Sequence, residues 1–176
     1  MIDTLDIERY KHALQLANNF SNDPKCKVCA LIYSPNMRFN SDGNIELKDY
    51  IARGVNTLSF GFQAFLEEAI SKDIVDSYEV ENAIWNNPHL KSLFVTHAEI
   101  NALRIFGLKQ SHLDPLVGTM YITKAPCYHC ALEIGKHDIK RIVIPFLNKD
   151  SKWYDSQMKA IEFLKEREVV IDYIEV

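Results

Sequence analysis

Two short runs of this chain carry residue types that chemistry uses: His97-Ala98-Glu99 and Pro126-Cys127-Tyr128-His129-Cys130. Zinc takes nitrogen and sulfur ligands, and a catalytic zinc keeps three protein ligands and leaves its remaining position to water. His97, Cys127 and Cys130 make such a set. Two thiolates and a neutral imidazole balance the charge of Zn²⁺. Cys127 and Cys130 stand three apart, so on a helix they share a face and can grip one ion. Zinc lowers the pKa of its bound water to about 7. Glu99 would overfill the set as a further ligand. Its better role is to accept the proton of that water and hand it on, a step worth about 10²- to 10⁴-fold in rate.

Each run also has a plainer reading. Thr96-His97-Ala98-Glu99 is a T-x-x-E helix capping box. A capped helix start is also a good place to fix His97. Cys127-x-x-Cys130 alone could be a redox pair. Pro126 ahead of it and helix formers after it suit a helix N-terminus, whose partial positive charge favours thiolates. Cys26 and Cys29 form a second C-x-x-C, so a four-cysteine zinc ribbon has to be weighed. The two pairs lie much further apart than ribbon spacing allows. Cys26 to Tyr33 also reads as a strand, on which positions three apart point to opposite faces.

The elements that must position these residues follow from periodicity. Ile7, Tyr10, Leu14 and Ala17 form one apolar stripe, which predicts a helix over 4–20. A strand is expected near 27–33, a turn at Ser34-Pro35-Asn36, a polar loop through Asn40-Ser41-Asp42-Gly43-Asn44, and an antiparallel strand near 49–55. Phe62, Phe65, Leu66, Ala69 and Ile70 fit a helix, and Val75 to Trp85 fits another that ends at Asn86-Asn87-Pro88. This acidic, aromatic stretch reads as a surface excursion packed on the core, with a lid or a subunit contact as the other possibility. His97 to Phe106 is expected to be helical, with Gly107 as its stop. A strand at Val117–Thr123, a helix at Cys127–His137 and a strand at Arg141–Ile144 make a βαβ unit with parallel strands. A helix at Asp155–Glu166 and a strand at Val169–Ile174 complete the chain. The order predicts an α/β fold of three layers, a mixed sheet of about five strands with helices on both faces. In such sheets ligands bind beyond the C-terminal strand ends. Cys127 and Cys130 follow one of these ends.

The chain has 176 residues, 47% of them hydrophobic and 25% charged, which suits one soluble domain over 1–176. The net charge of −4 argues against a nucleic-acid polymer as partner, since such binders carry a basic face. It leaves room for a small anion in a local pocket. The start, Met1 to Asp6, lacks the basic and apolar regions of a signal peptide, and no apolar run is long enough for a membrane span. The expected location is the cytoplasm.

The pattern H-x-E … P-C-x-x-C is the signature of zinc deaminases of nucleobases, and the chain resembles the cytidine and deoxycytidylate deaminase superfamily. Four segments carry the likeness. Ser21-Asn22-Asp23-Pro24 through Ala30 resembles the family's S-x-D-P-x-x-x-V-G-A, and Gly54-Val55-Asn56 its G-Y-N. His97 to Ala102 resembles H-A-E-x-N-A, and Pro126-Cys127 to Cys130-Ala131 with Ile139 to Val143 resembles P-C-x-x-C-A … I-K-R-V-V. Trp153-Tyr154 is similar to the family's aromatic ahead of the last helix. The segments 36–48 and 60–92 fall outside the likeness and read as inserted or variable.

The resemblance implies zinc held by His97, Cys127 and Cys130, with Glu99 as proton shuttle. It implies hydrolytic loss of ammonia from C4 of cytosine through a zinc-bound hydroxide. Within the family the chain is most similar to the deoxycytidylate branch, which converts dCMP to dUMP for thymidylate synthesis. Asn56 is implied as a nucleoside contact, and Asn101 and Ser21 lie where the family places sugar or phosphate. Ala98 and Pro126 are candidates for backbone contacts to the exocyclic amine, and Trp153 or Tyr154 for a cap on the base. Homo-oligomers, in larger members controlled by dCTP and dTTP, are also implied. Cys29, Val55 and Thr57 depart from the family's Gly, aromatic and Gly, which touches the sugar and phosphate contacts and not the zinc set. Two other functions stay open: a zinc deaminase of another cytosine compound or of adenosine in tRNA, and a binding protein with structural zinc. A structural site usually has four protein ligands.

Overall fold

A computed structural model describes residues 1–39, 45–59, 62, 64, 67–68, 71, 76–110 and 117–175, with the side chains of 36–39, 45–50, 77 and 109–110 left aside. Helix α1 (Thr4–Phe20) leads into the hairpin β1 (Cys29–Phe39) and β2 (Ile45–Val55). Strand β3 (Thr57–Leu58) follows, then α2 (Ser77–Asn86), α3 (Pro88–Phe94) and β4 (Val95–Thr96). The second half runs α4 (Ala98–Gln110), β5 (Gly118–Ile122), α5 (Tyr128–Ile134), β6 (Ile139–Pro145), α6 (Tyr154–Glu166) and β7 (Val170–Ile174). The main sheet has five strands in the order β2-β1-β5-β6-β7. The β1 pairings are antiparallel, and β5-β6 and β6-β7 are parallel, so the expected mixed sheet and βαβ unit are both present.

Alternation along β1 sorts its side chains between two layers. Cys29, Leu31 and Tyr33 face α1 and pack with Tyr10, Ala13 and Ala17. Ala30 and Ile32 face the other way, into a core built with Leu103 and Phe106 of α4, Ile134 of α5 and Ile161 and Leu164 of α6. The three-layer α/β/α arrangement is thus written in one strand's period of two.

Some local readings change. No turn forms at Ser34-Pro35-Asn36: β1 continues to Phe39, which pairs with Ile45. Among the described residues β5 pairs with β1 only from Ala30 to Tyr33, so Pro35 lies beyond that ladder, a position that tolerates a residue without an N–H. The turn-rich run 40–44 lies outside the described residues, as do Phe65, Leu66, Ala69, Ile70 and Val75 of the first reading of 60–92. Gly107 does not stop α4, which runs on to Gln110. The capping box at Thr96 is absent too. Thr96 pairs with Thr57 in the β3-β4 ladder, and His97 is the residue whose carbonyl accepts the first helical bond, from Asn101 N at 3.1 Å.

A polar lock ties α1 to the far strands. Asp6, 3% exposed, accepts from Tyr121 Oη at 2.6 Å and from both terminal nitrogens of Arg141 at 2.7 and 2.8 Å. Arg141 Nε also donates to Asp172 at 2.8 Å. The Arg141 guanidinium holds the Asp6 carboxyl well below the usual carboxylate range. A depressed folded-state pKa gives stability that is present above the unfolded value, about 3.9, and fades as pH falls below it. Arg141→Ala leaves a buried charge without its partner and should cost about 3 kcal/mol at pH 7. Urea midpoints of the two proteins should stay apart from pH 7 down to about pH 4 and draw together only below it.

Candidate active site

The start of α4 is built by three contacts from the β2-β3 region. The β3-β4 ladder pairs Thr57 with Thr96 and so sets Asn56 beside residues 97–98. Asn56, 7% exposed, accepts the Ala98 N–H on Oδ1 at 2.9 Å. It therefore caps a helix to which it does not belong, satisfying one of the donors that a helix start leaves free. Gly54 lets the two backbones meet: a Cβ there would stand 2.1 Å from Ala98 O and 2.4 Å from Ala102 N. Asn101 closes the junction, donating from Nδ2 to Val55 O at 2.9 Å and Thr57 Oγ1 at 3.1 Å.

The cysteines come from the other half of the fold. Beyond β5, Thr123 is bonded to Cys29 through its amide and its hydroxyl, both at 3.0 Å. Gln157 of α6 donates to Ala125 O at 3.4 Å, and Pro126 is buried. Cys127 is the N-cap residue of α5 in extended conformation, with its sulfur making no capping bond. Cys130 lies one turn on, buried.

These two helix starts converge. The ligand atoms of His97, Cys127 and Cys130 all lie within 4.8 Å of one another. His97 Nδ1 is 3.6 Å from Cys127 Sγ and 3.3 Å from Cys130 Sγ. A tetrahedral ion with ordinary zinc bond lengths separates its nitrogen and sulfur ligands by about 3.6 Å. The donor set therefore fits zinc with shifts of a few tenths of an ångström. His97 is exposed, Cys127 half-buried and Cys130 buried, so the cluster has one open side. Glu99, 4% exposed, is hydrogen-bonded by Cys130 and is not one of the three.

The three ligand groups are coupled through shared protons. The Cys130 hydrogen bond, with that of His97, pulls the Cys127 thiol down to about 4, and burial opposes it. The same bond to Cys127, then burial, pushes Cys130 up. Hydrogen bonding to Cys127 raises His97 against the effect of burial. Burial lifts the Glu99 carboxyl above the usual carboxylate range. Cys29 is fully buried under α1 and pushed up to about 12 by that burial, while Cys26 packs on the opposite face, so the ribbon reading has no geometry. Cys127→Ser should lower bound zinc well below one ion per chain in metal analysis of folded protein.

The remaining candidates separate. Asn56 and Ala98 meet, and the Ala98 carbonyl lies against Gly54. Asn101 spends its amide hydrogens on the β2-β3 junction. Ser21 caps the end of α1, and its buried hydroxyl has no hydrogen-bond partner among the described residues. Trp153 is exposed with Lys152 over its ring, one turn from the Gln157 that grips Ala125. His129 is exposed and lines a groove with Arg104, Glu133 and His137, outside the three-ligand cluster. Sequence reasoning missed Gln157, Thr123 and the meaning of Gly54. Only Gly54 carried a signal, as the first residue of Gly54-Val55-Asn56.

A family profile described as the cytidine and deoxycytidylate deaminase zinc-binding region matches residues 4–145. The chain belongs to this family. It is a zinc-dependent hydrolytic deaminase, and His97, Cys127 and Cys130 form the group compatible with the metal. The fold is similar to that of a dCMP deaminase from the cyanophage S-TIM5. Its apo form is 20% identical, with 99% of this chain and 100% of that chain covered and a TM-score of 0.57. Its complex with dCMP and dUMP is 20% identical, with 99% of each chain covered and a TM-score of 0.59. RibD of Acinetobacter baumannii is 19% identical over 93% of this chain and 33% of its own, with a TM-score of 0.50. No curated protein matches the deaminase chain by sequence. No helix among its described residues is long and apolar enough to cross a membrane.

Proposed function

We propose that this deaminase converts dCMP to dUMP and ammonia. The observation that carries the reading is the convergence of three ligand atoms within 4.8 Å beside a buried acid that is not a ligand. The preference for dCMP rests on the end-to-end likeness to the cyanophage dCMP deaminase, which was solved with dCMP and dUMP. Zinc, when bound, supplies an acidified water as nucleophile. Glu99 would take one proton from the attacking water and deliver it to ring N3, so that C4 becomes more electrophilic; it would then take a second proton, from the hydroxyl added at C4, and pass it to the leaving amine. Its burial keeps these transfers out of bulk water. Asn56 retains one Nδ2 hydrogen and one Oδ1 lone pair, enough to bind a sugar hydroxyl. The Ser21 hydroxyl is free to meet the sugar or phosphate, Pro126 walls the base, and Trp153 caps it. The same reading has one domain over residues 1–176, assembling as a homo-oligomer in the cytoplasm.

The test is a panel of dCMP, CMP, deoxycytidine, cytidine and cytosine, with zinc measured in the same sample. Ammonia should be released from dCMP far faster than from the others. Equal rates on cytosine and dCMP would discard the phosphate-reading part, and turnover only of a tRNA adenosine would discard the cytosine part.

A further inference from the structure

Asn86 and Lys91 touch the loop between α1 and β1. Asn86 Oδ1, at the end of α2, accepts from Lys25 Nζ at 2.7 Å. Lys91, on α3, makes an ion pair with Asp23 Oδ2. Lys91 is held on its other side by Trp85, its ammonium 5.6 Å from the ring centroid. Trp85 is itself buried in a small core with Leu58 and Ile84.

We infer that Lys91, by clamping the buried carboxylate of Asp23, is a positioning residue for the deamination site. Four hydrogen bonds carry the effect. Asp23 is 1% exposed, and its second oxygen, Oδ1, accepts the amides of Lys25 and Cys26, both at 3.0 Å. The turn so held presents Cys26 O, which accepts from Asn56 Nδ2 at 3.3 Å. Asn56 Oδ1 in turn accepts the Ala98 N–H at 2.9 Å, one residue from His97 and one from Glu99. Every link is a buried or half-buried polar contact, and a carboxylate with so little exposure needs a cation beside it. Without Lys91, Asp23 is driven to turn outward, the 23–26 turn loosens, and Asn56 loses one of its two side-chain anchors. A lysine outside the catalytic motifs thereby sets the geometry of a residue proposed to face substrate.

This inference uses the deaminase reading only for its kinetic readout. The experiment compares zinc-loaded Lys91→Met, Lys91→Arg, Asp23→Asn and Asp23→Asn/Lys91→Met with the parent chain. It records kcat and KM for dCMP and hydrogen exchange at the Ala98 amide. Lys91→Met should raise KM about tenfold, with kcat moved less, and should speed Ala98 exchange about tenfold, roughly the effect of one lost hydrogen bond. Lys91→Arg should restore both. Asparagine at 23 keeps the acceptor and needs no cation, so Lys91→Met should change nothing in the Asp23→Asn background. That arm decides the matter even if Lys91→Met alone fails to fold. A lower melting temperature with parental KM and parental Ala98 exchange would overturn the inference, as would a full Lys91→Met effect in the Asp23→Asn background. If no chain turns over dCMP, the proposed substrate fails while the exchange data still test the clamp.

Discussion

Glu99→Gln should give a folded protein with its full complement of zinc and a turnover of dCMP reduced by about 10²- to 10⁴-fold or more. The substitution keeps the shape of the side chain. It removes only the ability to gain and lose a proton. Because the carboxyl is 4% exposed, bulk water cannot readily deliver a substitute base to the same place. The measurement is kcat together with zinc stoichiometry and thermal melting. A rate within a few-fold of the parent would take Glu99 out of the chemistry. Burial raises its pKa, so turnover in the parent should fall on the acid side as the carboxyl becomes protonated, and this limb should vanish from the residual rate of Glu99→Gln.

Gly54→Ala should be nearly as damaging, from a residue without a functional group. The added Cβ would lie 2.1 Å from Ala98 O, 2.4 Å from Ala102 N and 2.9 Å from Asn101 Cβ. Two of these atoms are helix backbone and cannot rotate aside. Either β2 or the first turn of α4 must move by more than about 1 Å, and misplacement of that size costs about 10²-fold in rate. His97 and Glu99 flank Ala98, so zinc content should drop together with activity. Overpacking of this kind also costs about 1–3 kcal/mol of stability. Gly107→Ala is the control. It lies in α4, its Cβ would meet only His137 Cε1 at 3.5 Å among the described residues, and it should be neutral or stabilising by about 0.5–1 kcal/mol. If Gly54→Ala behaved like Gly107→Ala, the close approach of β2 and α4 would not matter to the site.

The contrast between these two glycines shows where reading the chain stops. Both looked like punctuation, one ending a strand and one ending a helix. Gly107 proved to be an ordinary helical residue, and Gly54 a contact between two backbones forty-odd residues apart in the chain. Nothing local distinguishes them, because a missing Cβ matters only when something else occupies its space. The two-residue β3-β4 ladder was invisible for a related reason: it is too short to have a period. The clamp of Asp23 by Lys91 links segments that no motif connects.

What the residues determined by themselves was the donor set and the layering. His97, Cys127 and Cys130 could be grouped as metal ligands, with Glu99 set apart from them, because ligand chemistry is a property of side-chain type, and their spacing placed them near helix starts. The alternation of Cys29, Ala30, Leu31 and Ile32 specified two buried faces, and the short joins around α5 specified a parallel pair. The tertiary structure alone decided that the two helix starts meet with nitrogen and sulfur 3.3 and 3.6 Å apart, and that Asn56 rather than Thr96 serves the start of α4. Patterns of three or four residues are set by local geometry, whereas a meeting point is set by every element packed between its two sides.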